Sequence, residues 1–259
     1  MGKWTFLAEH FIPSLAGFVR LACRRPGFAA QLVSRRALYF LSRRQPAPLT
    51  SPEGFLINTS DTLIAYWSMF VERELHDGAW ADHLREAKSP LVADIGANAG
   101  AFALYVHSVN PRAVIHCFEP LPAMVERIRS MAERVGMNLT CHPIALSDHT
   151  GEALFESPAG HEGTSHLIVG DQATPGAFRV PLATLDEALQ APSLDLVKID
   201  VEGFECDVLK GATRTLPSAR YLILEAQDPD HLQRIKSLLG PEWVSRRLGS
   251  SDHLFWRVT

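Results

Sequence analysis

Apolar positions follow two periods along this chain. Over 61–76, Leu63, Ile64, Trp67, Phe70, Val71 and Leu75 keep the three-and-four spacing of a helix, and Asp61 is placed to cap it. A second short helix is predicted at about 79–87, stopped by Pro90. From Leu91 onward, continuous apolar runs alternate with helical ones. The predicted strands are LVADIG (91–96), VIHCFEP (114–120), LTCHPIAL (139–146), LDLVKID (194–200) and RYLILEA (220–226). The predicted helices cover 99–109, 121–135, 184–190, 204–216 and 231–239. Met124, Val125, Ile128, Met131, Ala132 and Val135 mark the second of these, and Gly136 fits its end. Asp230 is predicted to cap the last, with Gly240–Pro241 ending it. Turn residues and short alternating runs over 147–182 read as a small β excursion. Strands separated by helices imply βαβ units and a mostly parallel sheet. The closing strands, 243–248 and 253–258, are joined by Gly249–Asp252, a link short enough only for an antiparallel hairpin. The fold class is α/β.

Residues 4–44 have a different character. Trp4, Phe6, Leu7, Phe11, Leu15 and Phe18 alternate with polar positions, and Pro13, Pro26 and Gly27 break the segment into short amphipathic helices. The stretch QPAPLTSPEG (45–54) reads as a linker. The chain is therefore divided into 1–50, an arm and linker, and 51–259, a domain whose own first helices lead to a core at 91–259.

The charge sharpens that division. The 259 residues carry 25 basic and 29 acidic groups, a net −4. Residues 1–50 hold eight basic groups against Glu9 alone, a net +7, which leaves −11 on 51–259. An acidic body argues against nucleic acid as ligand, because phosphate neutralisation needs clustered cations. Two readings of the arm stay open: a basic amphipathic surface resting on anionic membrane, or an apolar face packed on the main domain. Cys23, Cys117, Cys141 and Cys206 form no C-x-x-C pair, which favours reduced thiols over a disulfide or zinc framework. No run approaches 18 apolar residues, and Glu9, His10 and Pro13 interrupt the only signal-like stretch. A cytoplasmic protein is expected, with a peripheral contact at the inner membrane surface as the arm's option.

Candidate chemistry gathers at strand ends. Asp94-Ile95-Gly96-Ala97-Asn98-Ala99-Gly100 follows a buried strand and precedes a helix, at the carboxyl edge where open α/β sheets bind ligands. Glu119 ends the next strand, 19 residues past Gly100, where a carboxylate can accept both hydroxyls of a ribose. Counted from Gly96, the dinucleotide fingerprint needs glycines at positions held by Asn98 and Ala101. No diphosphate cradle is indicated, so a cofactor without phosphates, such as S-adenosylmethionine, fits better. After the third strand, Ser147 and Asp148 fall where an adenine edge would lie. Lys198, Asp200 and Glu202 alternate through KIDVEG (198–203), and strand periodicity puts the first two on one face. Charges at the end of a buried strand are costly unless paired or used. An ion pair of Lys198 with nearby acids is as good a reading as a chemical role. Glu225 ends the neighbouring strand, so several carboxylates converge.

The set DIGANAG, CFEP, ALSD, Thr184-Leu185-Asp186, KIDVEG with Phe204-Glu205, VLKGA (208–212) and LILEA resembles the FkbM-type S-adenosylmethionine-dependent methyltransferases over about 91–226. The resemblance implies a Rossmann-like class I methyltransferase sheet, here with an N-terminal helical extension. It implies S-adenosylmethionine as cofactor. Gly96, Asn98 and Gly100 would hold its methionine part, braced by Asp94. Glu119 would hold the ribose, and Ser147 and Asp148 would lie near adenine. It implies methylation of a hydroxyl on a sugar, polyketide, glycolipid or other natural product. An alcohol acceptor gains from a general base, and Asp200 is best placed, with Lys198 and Glu202 to orient it and Glu225 as a further candidate. His142, His166 and His253 are alternative bases, and His161 and His166 flank a turn at Gly163-Thr164-Ser165 that would cover an acceptor. A divalent cation would suit Asp200, Glu202 and Glu225, but no ligand spacing supports one, so no metal is expected. Two other readings remain: an NAD-dependent oxidoreductase on the same sheet, and a non-catalytic cofactor-binding protein.

Overall fold

The computed structural model describes residues 15–42, 47–72, 75–156, 166–167, 177–191 and 193–258. Trp4, Phe6, Leu7, Phe11, Arg43, Arg44, His161 and the 163–165 turn lie outside them. The chain forms two compact units, Met1–His76 and Asp77–Thr259.

In the first unit, α1 (Leu15–Arg24) and α2 (Pro26–Ser42) meet at Arg25, and Pro26 opens the second helix where a missing N–H costs nothing. Strands β1 (Leu49–Thr50) and β2 (Leu56–Ile57) pair antiparallel. Helix α3 (Ser60–Tyr66) continues as a π-helical turn, Trp67–Glu72. Its cap is Thr59, not the expected Asp61. The Thr59 side chain accepts the Thr62 N–H, and the Thr62 hydroxyl returns the bond to the Thr59 N–H, a reciprocal pair that starts the helix earlier. Tyr66 is fully buried, stacked on Phe70 with ring centres 4.8 Å apart and met edge-on by Phe28 at 5.6 Å. Ala29 and Leu32 of α2 are buried, so this part of the basic segment has a packed apolar face.

The second unit opens with α4 (Gly78–Glu86), capped by Asp77. Its main sheet contains β3 (Leu91–Ile95), β4 (Val114–Phe118), β5 (Asn138–His142), β10 (Leu194–Ile199), β11 (Ala219–Glu225), β12 (Trp243–Arg247) and β13 (Asp252–Arg257). The spatial order is β12-β13-β11-β10-β3-β4-β5. All pairs are parallel except β11·β13 and β12·β13, so the expected antiparallel hairpin closes a parallel sheet. Helices α5 (Ala101–Val109), α6 (Pro122–Val135), α7 (Leu185–Ala188), α8 (Glu205–Lys210) and α9 (Pro229–Leu239) accompany the strands. Val92, Ala93, Ile115, Leu196, Val197, Ile199, Leu222 and Ile223 are almost wholly buried, as strands covered on both faces require. The chain steps outward through β3, β4 and β5, then returns to build β10 and β11 on the other side. The loops leaving β3 and β10 therefore diverge and open a crevice at a topological switch point.

Three expected elements have different bounds. The predicted strand 139–146 breaks at Pro143, which has no N–H for the ladder. Its tail becomes β6 (Ala145–Leu146) of a second sheet, with order β6-β9-β7-β8. There β7 (Gly151–Glu156), β8 (His166–Leu167) and β9 (Phe178–Ala183) form the expected excursion. Helix 204–216 stops at Lys210. Asp186 accepts the Arg214 and Thr215 backbone N–H groups and pulls that segment out of helical register. The last helix begins at Pro229, because Asp228 rather than Asp230 caps it through the His231 N–H at 2.7 Å. No helix among the described residues is long and apolar enough to cross a membrane. All four cysteines are free, and burial pushes the Cys141 thiol up to about 12.

Candidate active site

The crevice at the switch point takes in about 680 Å³ of space, open solvent included. The turn after β3 supplies Gly96 and Asn98 to its wall, the end of β4 supplies Glu119, Pro120 and Leu121, and the segment after β10 supplies Asp200, Val201 and Glu202. Ile144, Ala145, Leu146 and Phe155 close an apolar end.

The β3 turn is shaped by contact between loops. Gly96 has φ +74, and a Cβ there would lie 1.8 Å from the Asp200 carbonyl oxygen. Only glycine lets the β3 and β10 exits touch in this way. The Gly96 and Ala97 N–H groups both donate to the Phe118 carbonyl, at 3.0 and 3.2 Å. Asn98 takes the left-handed conformation, φ +47, which asparagine tolerates better than most residues. Gly100 precedes α5 with φ +80, packed against Met131 and Ile128 of α6 and away from the cavity wall.

Glu119 is 5% exposed. Its Oε2 accepts the Asn98 N–H at 2.8 Å and its Oε1 the Leu121 N–H at 2.9 Å. Each oxygen keeps a lone pair for one further donor, so the carboxylate is oriented by the backbone and still able to bind two hydroxyls. Burial pushes its pKa up to about 7, against the pull of those two N–H groups.

Asp94 is wholly buried, and neither of its carboxylate oxygens has a hydrogen-bond partner among the described residues. Burial pushes its pKa up to about 6, opposed by Lys198, whose Nζ lies 3.9 Å from Oδ1. That same ammonium donates to Asp200 Oδ2 at 2.9 Å. Burial works against the Lys198 charge, but Asp200 and Asp94 outweigh it and hold the ammonium ionised. Lys198 is thus a buried cation shared by two acids, the expected ion pair, and it orients Asp200 at the cavity wall.

The other expected site residues are spread more widely. Glu202 lines the cavity with φ +54. Glu225 lies off the wall at the end of β11, where its Oε1 accepts the Ser251 hydroxyl at 3.0 Å and burial raises its pKa. Ser147 is buried just past the lining pair Ala145–Leu146. Asp148 is exposed and bonded to His149 at 2.6 Å, a bond that lowers its pKa. Of the candidate histidines, His142 stacks on Phe118 at 4.5 Å and bonds His116 at 3.0 Å, while burial lowers its pKa. His253 turns Nδ1 toward the Ser251 carbonyl at 3.1 Å. Among the described residues there is no group of three or more potential metal ligands.

Sequence reasoning missed the apolar wall of Leu121, Ile144 and Phe155. Leu121 follows the expected strand 114–120, Ile144 falls inside the expected strand 139–146, and Phe155 sits on the short strand β7. It also missed Glu205, which is fully buried and accepts the Val201 N–H at 2.9 Å and the Gly203 N–H at 3.3 Å through Oε1. In the sequence it is only an acid two residues after KIDVEG.

A family model described as the methyltransferase FkbM domain matches residues 94–256. The AMB antimetabolite synthetase AmbE of Pseudomonas aeruginosa is 29% identical over 211 residues, 66% of this chain and 10% of that protein. The hexuronic acid methyltransferase AglP of Haloferax volcanii is 30% identical over 151 residues, 56% of this chain and 60% of AglP. The 2-O-methyltransferase NoeI of Sinorhizobium fredii is 29% identical over 167 residues, 57% of this chain and 67% of NoeI. The chain therefore spans less than two thirds of AglP and only a tenth of AmbE. Among solved structures, the methyltransferase domain of METTL16 superposes with TM-score 0.50 at 11% identity, over 93% of this chain and 91% of that domain, a likeness of fold.

Proposed function

The chain belongs to the FkbM methyltransferase family, and from that premise we propose that it methylates a hydroxyl oxygen of a sugar, polyketide, glycolipid or related natural product, with S-adenosylmethionine as donor. When bound, that cofactor supplies a methyl group on a sulfonium sulfur, which an alcohol oxygen takes as it loses its proton and a neutral thioether departs. The residues present fit it. Glu119 has one acceptor site left on each oxygen for the two ribose hydroxyls. Leu121, Ile144 and Phe155 make an apolar end suited to adenine. Gly96 and Asn98 form the wall toward the methionine part, with the buried charge of Asp94 behind them. Ser147 and Asp148 remain candidates for the adenine edge, through the segment that continues from Ala145–Leu146.

The single observation that carries the reading is that Glu119 and Asp200, from strands on either side of β3, line the same cavity. Asp200 is the proposed general base. Its Lys198 bond fixes the side chain, leaving it to take the proton that an acceptor hydroxyl loses. Glu202 is the adjacent wall carboxylate that would orient the acceptor, and Glu225 supports this end from behind. The sugar acceptor rests on the names of AglP and NoeI. Asp200→Asn is expected to keep S-adenosylhomocysteine affinity within about threefold and to lower methyl transfer to a responsive sugar or polyketide by about 100-fold or more, measured by mass spectrometry of the product. Unchanged turnover would remove Asp200 from the chemistry.

We further propose that the protein is cytoplasmic and that its basic segment rests on anionic lipid. The free cysteines suit a reducing compartment, and Val19, Arg20, Arg24 and Arg25 are exposed together.

A further inference from the structure

Behind the cavity wall, Glu205 and His231 form a buried pair. Glu205 is 0% exposed and His231 2%. Glu205 Oε1 accepts both the Val201 and the Gly203 N–H, and its Oε2 lies 3.4 Å from His231 Nε2. His231 Nδ1 accepts the Gln227 N–H at 3.4 Å, whereas His231 Nε2 and Glu205 Oε2 make no hydrogen bond among the described residues. The His231 backbone N–H is itself held by the Asp228 cap. The turn after β10 is thus held by Glu205 Oε1, with His231 close to the other carboxylate oxygen.

That turn is strained. Glu202 has φ +54 and Gly203 φ +102, two consecutive residues in the left-handed half of conformational space. A non-glycine residue there is strained and persists only where its surroundings over-determine it. Asp200, Val201 and Glu202 line the cavity, and the Asp200 carbonyl sits where a Gly96 Cβ would be. Any relaxation of the turn therefore moves the β3 turn as well.

We infer that Glu205 is a positioning residue: by binding the Val201 and Gly203 N–H groups, it locks the 200–203 turn against Gly96 and so sets both the cofactor wall and the direction of Asp200. This rests on the proposed function. What matters is the reach of Glu205 and its acceptor oxygen, not its charge. Two conservative variants separate these properties. Glu205→Gln keeps the reach and the Oε1 acceptor while losing the charge. Glu205→Asp keeps the charge and shortens the reach by one methylene.

Calorimetric titration with S-adenosylhomocysteine, alongside the melting temperature of each protein, decides the matter. Glu205→Gln is expected to bind within about threefold of the native chain, and Glu205→Asp to bind at least about fivefold more weakly whatever its melting temperature. Equal affinity in all three proteins overturns the inference, as does a larger loss in Glu205→Gln than in Glu205→Asp. A general destabilisation would not sort the variants by reach. Should Glu205→Asp fail to fold, amide exchange in the native chain decides. Slow exchange at Val201 and Gly203, slower still with S-adenosylhomocysteine, supports the lock, and fast exchange at either overturns it. Failure of the native chain to bind S-adenosylhomocysteine would instead remove the proposed function, and this inference with it.

Discussion

Glu119 illustrates how much a single residue can be asked to do. Two backbone N–H groups orient its carboxylate, yet burial leaves it with a pKa near 7, raised from an ordinary 4.5. An acid raised on folding holds its proton more tightly in the folded state. The ligand-free protein is therefore stabilised toward low pH, and loses that contribution as pH rises from about 4.5 through 7. Asp94, raised from 3.8 to about 6, acts in the same direction over a lower window. Ribose hydroxyls donate to the ionised carboxylate, so binding has the opposite dependence. If only ionised Glu119 accepts the ribose, a pKa near 7 makes S-adenosylhomocysteine affinity about tenfold higher at pH 8 than at pH 6. Titrations at the two pH values should show that rise with release of protons, and Glu119→Gln should bind weakly and without it. A flat profile in the native chain would separate Glu119 from the cofactor.

At the scale of elements, the strand–helix order of the second unit was legible because both-face burial leaves unbroken apolar runs, as in Leu194–Ile199 and Ala219–Glu225. The antiparallel close was legible from the shortness of its link. Ends were less so, because long-range partners decide them. Thr59 displaced Asp61 as a cap by pairing reciprocally with Thr62, and Asp228 displaced Asp230. Asp186, 28 residues away in sequence, ended α8 early by claiming the Arg214 N–H. Pro143 was visible in the sequence, but its consequence, handing β6 to a second sheet, depends on β9 being there to pair with it. The site divides in the same way. The charged members, Asp94, Glu119, Lys198 and Asp200, stood out because charge at the end of a buried strand needs a reason. The wall residue Phe155 and the brace Glu205 did not, because an apolar side chain on a short strand and an acid opening a helix are ordinary features until tertiary contacts give them neighbours.

For the whole molecule, the division of charge between a basic beginning and an acidic remainder has taken on structure at both ends. Part of the acidity belongs to the cavity: Glu119, Asp200 and Glu202 line it, Asp94 lies buried behind them, and Lys198 is the buried cation that answers Asp94 and Asp200. In the basic segment, Ala29 and Leu32 turn inward within their unit, while Arg24 and Arg25 stay exposed. Packing and lipid contact are therefore compatible uses of different faces. Cosedimentation with anionic vesicles should capture the native chain, with each of Arg24→Gln and Arg25→Gln weakening capture by about fivefold, the worth of roughly 1 kcal/mol per surface cation. A native chain that stays in the supernatant would contradict the lipid contact and leave the catalytic reading untouched. That reading is tested most directly by titrating the purified protein with S-adenosylmethionine, S-adenosylhomocysteine and NAD. Both sulfur compounds are expected to saturate one site with NAD giving no heat, and binding of NAD with neither of the others would contradict a methyltransferase.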